Sequence, residues 1–134
     1  MTKLNPLFIG LSAVMLGMAP WVINAAPYES TMGLVQKVFY FHFPSAILFL
    51  VAALICGVAS AIFLFGKKPR ADGWAIAAAE LGLLFGTLTL VTGPLWARKA
   101  WGVWWVWDPR LTSSLLLWMI FSAYLLLRRY GGPG

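Results

Sequence analysis

The apolar positions of this chain fall into four long runs, residues 7–26, 38–65, 73–96 and 109–127, and nearly all the charged residues lie outside them. Crossing a bilayer takes roughly 20 apolar residues at 1.5 Å rise each. Each run therefore reads as a transmembrane helix, the fourth with little to spare. The second is long enough to predict a tilted helix or an interfacial start. The pattern predicts an all-α, polytopic transmembrane helical bundle with a core of four antiparallel helices, a single integral membrane domain over residues 1–134. The first run ends in Asn24-Ala25-Ala26, small residues that would permit signal cleavage. It is longer than a typical signal-peptide core of about 7–15 residues, which favours a retained helix.

Composition strengthens the membrane reading. With 61% hydrophobic and 10% charged residues, the chain lacks the polar surface to face water all round. The net charge of +6 does not imply nucleic acid, because the basic residues are spread over short connections without forming a long run. Instead it sets an orientation. With the N-terminus cytoplasmic, Lys3, Lys67, Lys68, Arg70, Arg128 and Arg129 fall inside, and Lys37, Arg98, Lys99 and Arg110 fall outside. The bias obeys the positive-inside rule weakly, and the basic outer connection calls for a reason of its own. The lone Cys56 sits in an apolar run and reads as a small buried hydrophobe.

That outer connection is the most unusual stretch of the chain. WGVWWVWDPRLTSS, residues 101–114, holds four tryptophans in its first seven residues. Asp108-Pro109 is a helix start, an acceptor for free N–H groups followed by a residue suited to the first helical position. A short interfacial helix over 100–107 would place Trp101, Trp104 and Trp105 on one face at i, i+3, i+4 spacing, with Asp108 below and Trp96 and Trp107 at its flanks. An aromatic belt at the headgroup level is the plainer reading. Belt residues are usually scattered over helix ends, so this density favours a platform for a flat apolar ligand.

The only histidine, His42, lies in FYFHFPS near the outer end of the second run. Pro44 cannot donate to the Tyr40 carbonyl, which predicts a distorted turn beside it. A membrane-embedded histidine marks a ligand or proton site, and neutral imidazole ligates haem iron. A histidine satisfied by a carbonyl or water is the alternative. On the same predicted side, Arg98, Lys99 and Arg110 suit the two propionates of a haem, since a guanidinium can meet a carboxylate bidentately.

WGVWWVWDPRLTSSL closely resembles the tryptophan-rich "WWD" signature of the haem-handling family of cytochrome c maturation, which includes the haem exporter protein C (CcmC) type and the longer CcsA-type synthetase subunits. QKVFYFHFPSA, residues 36–46, resembles the family's first histidine segment, and LVTGPLW, residues 90–96, the span entering the signature. The resemblance runs from about Tyr28 onward and is nearer the exporter type. It implies haem b as the transported ligand, held at the periplasmic face of the bacterial inner membrane by the signature and two axial histidines. The implied haem site comprises His42 as axial ligand to the iron with Trp96, Arg98, Lys99, Trp101, Trp104, Trp105, Trp107, Asp108 and Arg110. The implied partners are a periplasmic haem chaperone, subunits of an ABC-type maturation complex and membrane lipid. The family's second histidine has no counterpart here, and members of the exporter type have about six spans. The Gly131-Gly132-Pro133-Gly134 ending reads either as a truncation or as a genuine short form. Met15, Met18 and Met32 are the remaining soft ligand candidates.

Two further features stand out. Glu80 is the only acid well inside a run, a functional candidate by default and equally a protonated structural group. Gly82, Gly86, Gly93 and Thr89 form a small-residue stripe that suits close helix packing. No nucleophile–base pair, phosphate loop or carboxylate pair is evident. The function expected is haem binding and transfer during cytochrome c maturation, without catalysis. A synthetase subunit joining haem vinyl groups to thiols, and a structural membrane subunit anchored by its tryptophans, are the alternatives.

Overall fold

A computed structural model of the chain describes residues 5–28, 30 and 33–132. It contains four long helices, α1 (Pro6–Ala25), α2 (Phe39–Gly66), α3 (Pro69–Trp101) and α4 (Pro109–Tyr130), with a 3-10 turn, Leu34–Val38, leading into α2. All four are long and apolar enough to cross a membrane. The starts of α1 and α4 follow from local chemistry. Asn5 accepts from the Leu7 N–H at 3.0 Å ahead of Pro6, and Asp108 accepts from the Leu111 N–H at 2.7 Å ahead of Pro109, both prolines needing no donor in a first turn. The helix ends are as definite. Gly102 adopts a left-handed conformation, φ 76°, and closes α3 by donating to the Arg98 carbonyl.

α3 is the hub, and its glycines explain why. A β-carbon on Gly82 would lie 2.7 Å from the Phe121 ring of α4, and one on Gly86 would lie 2.8 Å from the Phe49 ring of α2. Each glycine is a notch that receives one aromatic ring. Phe49 and Phe121 are thereby almost wholly buried, with ring centroids 6.0 Å apart, and Ala79 completes the cluster. Cys56 packs against it as a small apolar side chain. Polar ties add to the α3–α4 contact: Trp118 Nε1 donates to Thr87 Oγ1 at 2.9 Å, and Arg128 pairs with Asp72 at 2.6 Å. Such interhelical bonds are worth about 0.6 kcal/mol each within a bilayer, so packing carries the bundle.

α1 departs from the expected four-helix core. None of its residues is buried, and among the described residues burial is confined to the 3-10 turn and the other three helices. Its tie to the turn is Lys37, whose ammonium donates to the Asn24 carbonyl at 2.6 Å and lies 4.4 Å from the centre of the Tyr28 ring. Lys37 is 8% exposed, so it is a structural strut and not a free loop charge.

Other boundaries also shift. α3 begins at Pro69 and ends at Trp101, beyond both limits of the apolar run over 73–96. The apolar run measures what lies in lipid, whereas Pro69 and Gly102 punctuate the helix itself. At 33 residues α3 is about 50 Å long, more than the ~30 Å hydrocarbon layer. α2 continues through Pro44. Glu80 is exposed and lines a cleft with Arg128, Arg129 and Tyr130 at the α4 C-terminus.

Candidate functional site

At the end of the bundle opposite the Lys67-Lys68 connection, α2, α3 and the tryptophan-rich segment enclose a cavity of about 510 Å³. That volume falls within the range of small-molecule sites. α2 supplies Phe39, His42 and Phe49; α3 supplies Thr89, Gly93 and Trp96; and the segment after α3 adds Trp104 and Trp105. Trp101 closes one side and Arg110, at the start of α4, stands among the lining residues. The lining is therefore chiefly aromatic, with one imidazole and one guanidinium.

The aromatic wall is ordered by contacts among its members. Trp96 Nε1 donates to Gln36 Oε1 at 3.3 Å, anchoring the indole to the 3-10 turn. Its ring meets Trp101 edge-on at 5.7 Å and Phe39 at 6.1 Å, distances at which aromatic pairs attract. The Arg110 guanidinium lies 5.2 Å from the centre of the Trp101 ring, a cation–π placement. Arg110 also pairs with Asp108 at 3.3 Å, so the α4 cap and the cavity cation are held together. Trp105 Nε1 is the one buried side-chain nitrogen without a hydrogen-bond partner among the described residues. Leaving a buried N–H unpaired costs about 1–3 kcal/mol, which an acceptor carried by a ligand would recover.

His42 faces α3. Its Nδ1 lies 3.0 Å from Thr92 Oγ1, and a β-carbon on Gly93 would come within 3.1 Å of its Cε1. Gly93 is thus the third aromatic notch on α3, filled by an imidazole where the other two take phenyl rings. Among the described residues no three His, Cys, Asp or Glu side chains gather to hold a metal ion. A lone imidazole suits a metal that brings its own equatorial donors, as iron does in a porphyrin.

Of the residues expected at the site, His42, Trp96, Trp101, Trp104, Trp105 and Arg110 line one cavity. The others do not. Residues 102–108 form no helix, so the expected interfacial helix over 100–107 is corrected: Gly102 ends α3 and the tryptophans are presented by a bent connection. Trp107 is 74% exposed and off the cavity, touching Trp105 edge-on at 5.6 Å. Arg98 donates to the Gly102 carbonyl and lies 6.0 Å from the Trp104 ring centre. Lys99 is exposed outside the cavity, and Asp108 acts as the α4 cap. Met15 and Met18 sit on the exposed α1, away from the lining; Met32 lies outside the described residues. Thr92 was missed, since a threonine inside an apolar run carries no signal until its neighbour across the helix interface is known.

Comparison with known proteins places the chain in a family. The sequence profile of the heme exporter protein C family matches residues 1–130. The chain is 37% identical to the heme exporter protein C of Haemophilus influenzae over 126 residues, covering 93% of this chain and 51% of that protein. It is 36% identical to the protein of the same name from Rhodobacter capsulatus and 35% identical to that from Escherichia coli K12, each over 107 residues, 80% of this chain and 44% of the relative. The chain spans about half the length of these relatives. A match over nearly its whole length, the four spans and the tryptophan-rich connection together establish that the chain belongs to the heme exporter protein C family.

Proposed function

We propose that the chain binds haem in the cavity between α2, α3 and the tryptophan-rich segment, and passes it on during cytochrome c maturation. One observation carries the reading: the only imidazole of the chain stands in the wall of an aromatic cavity that also holds Arg110. His42 supplies the axial bond to iron, Trp96, Trp101, Trp104 and Trp105 pack on the macrocycle, and Arg110 meets a propionate. The orphan Trp105 N–H offers a further donor to a ligand acceptor. Holding and releasing haem requires no bond making in the porphyrin, so the role is binding and transfer and not catalysis.

The membrane is the bacterial inner membrane, with the N-terminus cytoplasmic and the cavity at the periplasmic face. The distribution of basic residues supports that orientation. A haem held at that face is placed for hand-over to a periplasmic haem chaperone, with subunits of an ABC-type complex as membrane partners. The haem is b-type, because it has yet to be joined to a cytochrome.

His42→Ala tests the reading. Haem retained per purified protein should fall at least tenfold and be partly restored by added imidazole, which fills the vacated ligand position. Unchanged haem content in the variant would refute the ligand assignment.

A further inference from the structure

The contact between His42 and α3 fixes more than the position of the ring. Thr92 Oγ1 lies 2.6 Å from the Leu88 carbonyl, one turn back on its own helix, and 3.0 Å from His42 Nδ1. A hydroxyl has one proton to give. The carbonyl oxygen can only accept, so at 2.6 Å that proton belongs to the Thr92–Leu88 bond. Toward His42 the hydroxyl oxygen can then only accept, and Nδ1 must be the nitrogen that carries hydrogen. In a neutral ring protonated at Nδ1, the bare lone pair is on Nε2, and it is the lone pair that binds a metal.

We propose that Thr92 and Gly93 form a seat that presets the tautomer of His42, leaving Nε2 unprotonated to bind the iron. Thr92 is a positioning residue: it acts on the haem only through the imidazole. Gly93 supplies the space, since a β-carbon there would press on Cε1 at 3.1 Å. The hydrogen bond from Nδ1 holds the ring orientation and raises the basicity of Nε2, as outer partners of metal-bound histidines commonly do. The proposal rests on the haem reading for its purpose, but the tautomer is a property of the protein without haem.

The test uses the full chain in lipid nanodiscs, labelled with ¹⁵N-histidine. The chain has one histidine, so every signal belongs to His42. In the haem-free protein at pH 8 the spectrum should show Nδ1 protonated and Nε2 bare. Thr92→Val preserves shape and removes the acceptor, and should give a mixture of tautomers. Thr92→Ser keeps the hydroxyl and should restore the single form. With haem supplied, Thr92→Val should weaken retention about 10-fold or more and shift the iron–histidine stretching band, with Thr92→Ser close to the parent in both. Helix content by circular dichroism confirms that each variant is folded. If Thr92→Val does not fold, the serine variant and the parent spectrum still decide. An Nε2-protonated ring in the parent, or a tautomer and an iron–histidine band both indifferent to Thr92→Val, would overturn the proposal. A Nδ1-protonated ring in a protein that takes up no haem would instead overturn the haem reading, and with it the purpose of the seat.

Discussion

Two stretches of α3 use the same device for different ends. In its middle, Gly82 and Gly86 receive Phe121 and Phe49, and the result is a closed apolar core. Two turns further on, Gly93 receives His42, and the helices part to leave a cavity lined by aromatic rings. In both places a missing β-carbon lets a ring approach the helix backbone. The difference is in what the ring can still do. A phenyl ring in its notch has no lone pair to offer a metal, whereas an imidazole, with the tautomer proposed above, keeps one on Nε2. Within one helix, the same packing geometry closes an apolar core in the middle and, near the end, seats the imidazole that we propose as the haem ligand.

The comparison can be broken most forcefully at the aromatic wall. Trp104→Ala and Trp105→Ala should each weaken haem retention by about 2 kcal/mol, roughly 30-fold, as expected for a large aromatic ring packed on a bound ligand. Trp107→Ala should leave retention close to the parent, because its ring lies outside the cavity. Equal losses at Trp105 and Trp107, measured by haem titration, would show that the wall is not where the cavity places it.

The glycines give the next test. Gly82→Ala puts a β-carbon 2.7 Å from the Phe121 ring, and overpacking of this kind costs about 1–3 kcal/mol. Thermal unfolding should shift down while haem bound per folded protein holds. Gly93→Ala should do the reverse, displacing the imidazole and lowering haem retention with less effect on unfolding. Matching behaviour of the two variants would erase the distinction between core and seat. The smallest effect belongs to Asp72→Asn. It breaks the exposed pair with Arg128, worth up to about 1 kcal/mol, and haem titration should be unmoved because the pair is remote from the cavity.

Much of this was legible in the sequence, and the misses have physical causes. The four spans follow from apolar length alone, and Asp108-Pro109 marks the α4 start without ambiguity. The interfacial helix did not form because Trp101, Trp104 and Trp105 have helical spacing only by coincidence; Gly102 between them turns the chain out of α3. The cavity still gathers those three rings, since a bent connection can converge on a site as well as a helix face can. Arg98 and Lys99 were expected at the propionates on sign and proximity in sequence, but the last turn of α3 points them elsewhere and Arg110 alone of the three lines the cavity. Lys37 reads from sequence only as an outer charge, and its burial by the Asn24 carbonyl and the Tyr28 ring is not visible there. Periodicity cannot show such long-range partners. Nor could it separate Gly93 from Gly82 and Gly86, which needs the identity of the ring opposite each.

The central claim is that this chain holds haem through His42 as its one imidazole ligand. The most direct measurement is the absorption spectrum of the purified protein after haem is supplied, recorded before and after adding imidazole. The account predicts a Soret band from stably bound high-spin haem that converts to a low-spin spectrum when imidazole fills the sixth position. A protein that stays colourless, or one whose haem is low-spin from the outset and indifferent to imidazole, would contradict it.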